Sequence, residues 1–334
     1  MDPITQGALG AAFPAASASA RQTRVAAAVG FVAGMAADLD VLIRSQTDSL
    51  LFLEYHRQFT HSLIFIPVGG FLAAAVFFIC LRRWLSIGFG RLWLFSALGY
   101  GTHGLLDAMT SYGTQLFWPF SDQRISFSVV SVVDPLVTLP LLGFLAVAVL
   151  RKRPGWARLG VAWAACYLAV GVYQHQAAKA LAEDLARRRG HVALRLEVKP
   201  TFANLIVWRS IYEADGRFYV DGVRPGFALP IVEGQSIAKL DVARALPWLD
   251  PRSQQARDID RFSRFSDGFV AQASGGDARI IDVRYAFLPT EIAPLWSIRL
   301  DQTASPTAHV RFETHRGDAG GNLRALMAMA FDRR

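Results

Sequence analysis

The chain has little charge and almost no cysteine. Charged residues make up 19% of its 334 residues, and there are only two cysteines, whereas about 25% of an average soluble chain is charged. Residues 1–174 contain 12 Lys or Arg and 8 Asp or Glu, and residues 175–334 contain 23 and 19. This contrast excludes a single globular domain and intrinsic disorder, and Cys80 and Cys166, both in apolar runs, exclude a disulfide scaffold.

Several common catalytic and binding signatures are also missing. The sequence has no Gly-rich phosphate loop, no Gly-x-Ser-x-Gly elbow and no His-Glu-x-x-His motif. Neither cysteine has a histidine close in sequence that could activate it. The net charge is +8, but the cations of the first half cluster at the ends of apolar segments. That placement is typical of membrane topology, so we predict no direct nucleic-acid binding.

The apolar segments of the first half are long enough to cross a bilayer, which takes about 20 residues of helix. They cover residues 25–43, 62–81, 92–109, 135–150 and 159–174. A sixth, weakly apolar stretch over residues 3–20 is compatible with a span, a re-entrant piece or an interfacial helix. We therefore predict an α-helical integral membrane domain of five or six helices over residues 1–174, in a bacterial-type inner membrane and in contact with lipid.

Basic residues in short loops indicate the cytoplasmic side. They fall in alternate loops, at 21–24, 82–91 and 151–158, which predicts that the other loops and everything after residue 174 are extracytoplasmic. The cluster Arg187-Arg188-Arg189 argues against this orientation, but charge beside a long translocated domain is a poorer guide.

Residues 175–334 have the pattern of a soluble domain. A polar helical stretch over 177–189 is followed by short alternating segments rich in β-branched and aromatic residues. These lie at 193–198, 205–208, 217–220, 280–285, 297–300 and 310–312. With a helical insertion near 252–265, they predict a small α+β, β-rich domain with an antiparallel sheet.

Ionisable side chains stand at the ends of the predicted spans, where charge is costly and usually functional. In chain order they are Asp38, Asp40, His56, His61, His103, Asp107 and Asp134. On the predicted topology, all of them face the outer side. His103 and Asp107 are four residues apart, which places an imidazole and a carboxylate on one helical face. Both groups are zinc ligands.

Six of these residues form a candidate site for a divalent metal, most simply zinc: Asp38, Asp40, His56, His61, His103 and Asp107. Six ligands exceed one tetrahedral site. They predict either two ions about 3.5–4 Å apart or one ion with a general acid or base. Each group also has a structural explanation: a hydrogen-bonded pair, helix-end solvation, or contact of loop histidines with lipid phosphate. Convergence of three separate clusters favours the metal.

Polar groups suited to an anionic substrate follow the third predicted span. The hydroxyls of Thr110, Ser111 and Thr114 and the guanidinium of Arg124 can hold a phosphate-like group. Tyr112 and Trp118 are interpreted more simply as interfacial aromatic residues.

Several of these motifs together resemble one family. They are the start Met1-Asp2-Pro3-Ile4-Thr5, Ala37-Asp38-Leu39-Asp40, His56-Arg57-Gln58-Phe59-Thr60-His61-Ser62, His103-Gly104-Leu105-Leu106-Asp107, Thr110-Ser111-Tyr112-Gly113-Thr114 and Trp118-Pro119-Phe120-Ser121. The chain resembles the YdjM-like, or YfhP-like, inner-membrane metal-dependent hydrolases, also described as LexA-binding. The tail resembles family members that carry an extra soluble domain, most clearly over residues 200–209.

The resemblance implies a distant similarity to zinc-dependent phospholipase C and P1-type nucleases. It implies that Asp40, His61, His103 and Asp107 are the foremost ligands, followed by Asp38 and His56. Many relatives have His after the initial Thr, where this chain has Gln6. The resemblance therefore implies that an N-terminal ligand is missing here.

Three functions are compatible with these observations. The first is a metal-dependent hydrolase of a phosphoester or lipid-linked substrate, with Asp38 as a ligand or general base and His56 or Arg57 stabilising negative charge. The second is a membrane scaffold or binding protein with a structural metal, whose ligand set would be closed. The third is a transporter, which predicts ionisable residues spread through the bilayer. No protein partner is identified by the sequence.

Overall fold

The computed structural model describes residues 1–81, 83, 87–275, 278–315 and 317–331, so Arg82 of the second basic loop lies outside the described residues. Two compact units are present. The first comprises Met1–Leu42, Tyr55–Tyr173 and Phe202–Asn204, and the second comprises Ile43–Glu54, Gln174–Thr201 and Leu205–Arg334. The sequence-based division placed all of residues 1–174 in one domain. In the structure, the segment Ile43–Glu54 belongs with the C-terminal half.

Helices dominate the N-terminal half. They are α1 (Pro3–Ser17), α2 (Thr23–Met35), α3 (Leu51–Tyr55), α4 (Ile66–Leu81), α5 (Phe89–Met109), α6 (Pro135–Arg151) and α7 (Pro154–Arg188). Short 3₁₀ turns cover Ala36–Leu42, Phe59–His61 and Leu63–Phe65. Helices α1 and α6 each begin with an Asp cap followed by proline, Asp2 and Asp134 accepting hydrogen bonds from the first-turn amides. This is a common N-terminal arrangement.

Three helical stretches of the described residues are long and apolar enough to cross a membrane. They are Thr23–Leu42, Leu63–Cys80 and Pro154–Arg188. Helix α6 is apolar but has only 17 residues, and the 21 residues of α5 include polar side chains that lower its hydropathy. Helices apolar enough to span a membrane are therefore confirmed, whereas the total of five or six spans stays a prediction.

Helix α7 differs from the sequence-based expectation of a span followed by a separate polar helix. It is continuous over 35 residues, or about 52 Å at 1.5 Å per residue. A bilayer core is about 30 Å thick. Helix α7 is therefore longer than a bilayer core is thick, so one continuous helix can contain both the predicted span and the polar stretch that follows it.

Glycines allow α1, α2 and α5 to pack very closely. A Cβ on Gly30 would lie 2.3 Å from the carbonyl oxygen of Gly10, and one on Gly99 would lie 2.6 Å from the carbonyl oxygen of Gly30. Since not even a methyl group fits, these residues set the separation of the three helices. The packing places the end of α2 and its 3₁₀ turn against α5, which matters for the site described below.

The second unit contains two antiparallel sheets where the sequence predicted one. The strands are β1 (Arg195–Pro200), β2 (Trp208–Ala214), β3 (Arg217–Val223), β4 (Ile231–Val232), β5 (Ser236–Ala238), β6 (Val270–Gln272), β7 (Arg279–Asp282), β8 (Trp296–Arg299) and β9 (Arg311–Thr314). One sheet has the order β1-β2-β3-β4 with β5 also on β3, and the other has the order β6-β7-β8-β9. The β-rich class is confirmed.

Besides most of α3 and the end of α7, the described residues of the second unit contain three more helices. The insertion predicted near 252–265 is α9 (Gln254–Phe265), and α8 (Val242–Ala245) and α10 (Ala319–Phe331) were not predicted. Helix α9 buries Ile259 and Phe262 in a core with residues of β6, β7 and β8. Leu50 and Leu53 of the Ile43–Glu54 segment belong to the same core, which explains why this segment groups with the second unit.

Candidate metal centre

Four predicted site residues converge within the first unit: Asp38, His61, His103 and Asp107. Each offers one ligand atom, and the four atoms all lie within 4.8 Å of one another. Asp38 lies in the 3₁₀ turn that follows α2, His61 ends a 3₁₀ turn before α4, and the other two lie on successive turns of α5. Three separate elements therefore supply one cluster, as the sequence predicted.

The distances among these atoms suit a small tetrahedral ion. Nε2 of His61 lies 3.4 Å from Oδ1 of Asp38 and 3.4 Å from Oδ2 of Asp107. Nε2 of His103 lies 3.2 and 3.8 Å from the same two oxygens. Zinc bonds to nitrogen and oxygen of about 2.0–2.2 Å place the ligand atoms of a tetrahedron about 3.3–3.6 Å apart. The four nitrogen–oxygen distances lie close to that range.

Two of the four ligand atoms have unused hydrogen-bonding capacity. Nε2 of His61 and Oδ2 of Asp107 are buried and have no hydrogen-bond partner. Nε of Arg57 lies 3.0 Å from that oxygen as an ion pair, but it is not aligned as a hydrogen bond. Buried polar atoms are normally satisfied. A cation among the four atoms would satisfy both, so the donor set fits a divalent metal.

Both histidines are held with Nε2 facing the cluster. Nδ1 of His103 lies 2.5 Å from the carbonyl oxygen of Gly34, which can only accept a hydrogen bond. Nδ1 of His61 hydrogen-bonds to Oγ1 of Thr60 at 3.0 Å, and that hydroxyl donates to Oδ2 of Asp40 at 2.7 Å. A ring N–H donated to a carbonyl or hydroxyl oxygen leaves the other nitrogen with a lone pair for a metal. The backbone of α2 and the hydroxyl of Thr60, which is itself bonded to Asp40, therefore select the ligating nitrogen of each ring.

The structure divides the six predicted ligands into two groups that share Asp38. The second group is Asp38, Asp40 and His56, again with ligand atoms within 4.8 Å. Within it, Nδ1 of His56 lies 2.8 Å from Oδ1 of Asp40. Asp40 also accepts hydrogen bonds from the hydroxyl of Thr60 at 2.7 Å and from the amide of Arg57 at 3.1 Å. Both carboxylate oxygens of Asp40 are therefore already paired with groups beside the four-residue cluster.

Arg57 is buried against the cluster. Besides its ion pair with Asp107, its Nη1 donates to Oγ1 of Thr110 at 3.2 Å, and its guanidinium lies 5.3 Å from the ring centre of Tyr112. Its φ of 64° is unusual for a residue other than glycine, and such backbone strain often accompanies functional sites. The structure thus gives Tyr112 a contact in the site.

Sequence reasoning did not assign contacts to several neighbours of Asp107. Nε2 of Gln6 donates to Oδ1 of Asp107 at 2.9 Å, and the amino group of Met1 contacts the same oxygen. The signal at position 6 was the departure from the relatives' histidine, and the structure shows that this position reaches the cluster. Asp134 lies elsewhere, capping α6 and accepting a hydrogen bond from Tyr167.

The electrostatics of the cluster favour a positive charge. Burial alone lowers the pKa of His61, but the neighbouring carboxylates of Asp107, Asp38 and Asp40 outweigh burial and raise that pKa to about 10. Three carboxylates around one imidazole therefore make this cluster attractive to a cation. A divalent ion supplies that charge directly.

Comparisons with known proteins place these residues in a family. The model of the YdjM inner membrane protein family matches residues 1–178, which include both groups of candidate ligands. The chain is 28% identical over 120 residues to the uncharacterized protein YfhP of Bacillus subtilis (strain 168), covering 36% of each chain. It is 36% identical over 97 residues to the inner membrane protein YbcI of Escherichia coli (strain K12), covering 28% of this chain and 54% of the relative.

The chain thus spans about a third and about half of the lengths of these two relatives. No solved structure matches it, so the distant similarity to zinc-dependent phospholipase C and P1-type nucleases stays a prediction. The family match covers more than half of the sequence and includes the histidines and aspartates of the cluster. The chain therefore belongs to the YdjM inner membrane protein family.

Proposed function

We propose that this protein is a membrane-bound, metal-dependent hydrolase acting on a phosphoester of a lipid or of another membrane-proximal substrate. The observation that carries the proposal is the four-residue cluster of Asp38, His61, His103 and Asp107. Its nitrogen–oxygen spacings suit zinc or a similar divalent ion, and two of its buried ligand atoms have no hydrogen-bond partner. When bound, such an ion acidifies a water molecule and polarises a phosphoryl oxygen.

His56 and Asp40 are suited to move a proton beside the ion. Nδ1 of His56 faces Asp40 at 2.8 Å, and the imidazole is 29% exposed, so its Nε2 remains available to solvent or substrate. A carboxylate behind an imidazole fixes its tautomer and the orientation of its ring. We assign His56 as the general acid or base, and Asp38, which is 27% exposed, as the ligand that solvent reaches.

Arg57 is suited to stabilise charge. Its guanidinium is buried beside Asp107 and is fixed by Thr110. A fixed cation at this position offsets the carboxylates and favours an anionic substrate group close by.

The surroundings of the ligands support a lipid-like substrate. Leu39 lies between Asp38 and Asp40 and is 64% exposed, and Ile64, three residues after His61, is 51% exposed. Apolar side chains exposed so close to a polar cluster suit a bilayer boundary, where an acyl chain contacts them while the headgroup reaches the site.

The proposal is tested with the purified full-length chain in detergent or nanodiscs. Metal content is measured by elemental analysis, and hydrolysis is measured on a panel of phospholipids and soluble phosphodiesters, with and without a chelator. We expect stoichiometric divalent metal and chelator-sensitive release of phosphate or headgroup. His103→Ala should abolish both, and His191→Ala in the second unit should abolish neither. Absence of bound metal from the unsubstituted chain would refute the proposal.

One observation favours a second candidate, a binding protein with a structural metal. The cluster offers four protein ligands, whereas a catalytic zinc usually has three plus water. If this candidate is right, removal of the metal lowers the melting temperature and no substrate in the panel is hydrolysed. If the hydrolase is right, Asp38→Ala retains metal on three ligands.

A further inference from the structure

The segment Ile43–Glu54 joins the two sides of the candidate site and is anchored in the second unit. It begins three residues after Asp40 and ends two residues before His56. Leu50 is 1% exposed and Leu53 is 8% exposed, and both pack in the core that contains Ile259 and Phe262 of α9. The chain that links these site residues is thus part of a hydrophobic core formed mainly by the C-terminal half.

The side chain of Ser49 fixes the same segment to the backbone at the start of strand β9. The hydroxyl of Ser49 donates to the carbonyl oxygen of Val310 at 2.7 Å and accepts from the amide of Phe312 at 3.1 Å. These hydrogen bonds define the position of the segment along the strand. Apolar packing alone does not define that position, because it is not directional.

A single guanidinium on α9 pairs with one carboxylate before α3 and with another within α3. Nη1 and Nη2 of Arg261 donate to the two carboxylate oxygens of Asp48 at 3.0 and 2.7 Å. Nε of Arg261 donates to Glu54 at 2.6 Å, and Nη1 also donates to the buried Asp258 at 2.8 Å. Bidentate pairs of this kind give a defined geometry as well as attraction. We call Asp48, Glu54 and Arg261 the α3 clamp.

We propose that the second unit positions the metal-site loop through this segment, and that Arg261 is a positioning residue for the site. Residues His56, Arg57 and His61 follow Glu54 directly along the chain, and Asp38 and Asp40 precede the segment. Fixing residues 43–54 restricts the backbone conformations of the chain on both sides of the site. Fewer conformations then hold the ligands too far apart to share an ion. This inference rests on the proposed metal site and assigns a role to the unit that lies almost entirely outside the family match.

The test uses the full chain loaded with Co²⁺, whose visible d–d spectrum reports coordination geometry. Asp48→Asn combined with Glu54→Gln removes the clamp carboxylates and leaves Arg261 paired with Asp258. Arg257→Ala is the matched control, because this exposed arginine of α9 hydrogen-bonds to Gln254 and Arg252 and, among the described residues, makes no ion pair with the clamp carboxylates. Arg261→Ala and Arg261→Lys form a second pair, in which lysine restores one ion pair. Circular dichroism and thermal melts check that each variant is folded.

We expect the clamp variants to bind Co²⁺ at least about 10-fold more weakly, the loss that is common when the supports of metal ligands are removed, with a weaker tetrahedral band. Arg261→Lys should recover part of the affinity, and Arg257→Ala should bind like the unsubstituted chain. Folded clamp variants with unchanged affinity and spectrum would overturn this inference alone. Failure of the unsubstituted chain to bind Co²⁺ would overturn the proposed metal site together with it.

Discussion

Asp40 lies beside the four-residue cluster and contacts residues around it, but it is not one of its four members. It accepts hydrogen bonds from the hydroxyl of Thr60 and the amide of Arg57, and it faces Nδ1 of both His56 and His61. The family resemblance implied that Asp40 is a foremost ligand. In the structure, Asp40 belongs to the second group of candidate ligands, with Asp38 and His56, and lies outside the four-residue cluster. We therefore expect Asp40 to orient the imidazoles of His56 and His61 for the ion of that cluster.

Replacing Asp40 with asparagine tests this role. The amide keeps the size of the side chain but loses the charge that holds both imidazoles. We expect about a 10- to 100-fold loss of metal affinity with the metal stoichiometry retained, whereas His103→Ala should lose the metal altogether. Competition with a chromophoric chelator measures both. The exposed Asp122→Asn is the control, and an Asp40→Asn affinity equal to that of His103→Ala would show that Asp40 is itself a ligand.

A residue of the second unit provides a pH-dependent test that is independent of the metal. Burial disfavours the charged form of Asp48, but hydrogen bonds from Arg261 and the amide of Leu50 outweigh it and lower the pKa of this carboxyl. A lowered pKa stabilises the fold above the ordinary value of about 3.9, and the contribution is lost as the pH falls through the native value.

We therefore expect Asp48→Asn to destabilise the second unit by about 1.5–3 kcal/mol at pH 7. The difference from the unsubstituted chain should shrink as the pH falls below about 4. Thermal unfolding in detergent between pH 7 and pH 3 measures it. Asp260→Asn, an exposed position on the same helix, should show a smaller effect. A difference that stays constant across this range would rule out the ion pair as its source.

At the scale of elements, the close crossing of α1, α2 and α5 determines whether the site forms. The 3₁₀ turn that carries Asp38 follows α2, and Nδ1 of His103 on α5 pairs with the carbonyl oxygen of Gly34 on α2. A shift of α2 relative to α5 therefore moves Asp38 relative to His103 and Asp107, the two ligands on α5. The spacing of His103 and Asp107 within α5 is fixed by helical geometry alone.

Gly30→Ala should disrupt this crossing. Its Cβ would lie 2.3 Å from the carbonyl oxygen of Gly10 and 2.4 Å from Cγ of Pro14, so the helices must separate. We expect a destabilisation of about 1–3 kcal/mol, typical of overpacking, together with weaker metal binding. Gly143→Ala on α6 meets no atom within 4 Å and is the control. The crossing would not be needed if Gly30→Ala melted and bound metal like that control.

At the scale of the whole molecule, the orientation in the membrane is the main topological prediction. Basic loops at 21–24, 82–91 and 151–158 predict a cytoplasmic side, and the residues after 174 then face the opposite side. We expect alkaline phosphatase fused after residue 331 to be active and green fluorescent protein at that point to be dark. Fusions within 151–158 should give the reverse pattern. Reversed signals at both points would place the candidate site and the second unit in the cytoplasm.

Much of the architecture was predictable from local patterns. Apolar runs predicted the membrane helices, alternation predicted the β-rich domain, and α9 lies where the sequence placed it. Errors arose where tertiary contacts override local signals. The predicted strand 205–208 begins only at Trp208, and one continuous α7 replaces a span and a separate helix.

The sequence by itself determined the class of the molecule and the identity of its reactive groups. Charge depletion, helical spacing and the family motifs depend on residues that are near one another in the chain. The tertiary structure alone decided which groups meet. It joined Asp38, His61, His103 and Asp107, brought Gln6 to Asp107, and gave residues 43–54 to the second unit. The physical reason is that the spacing of nearby residues determines which side chains share a face of a helix. The distance between residues about 70 positions apart in the chain depends instead on how the helices pack against one another.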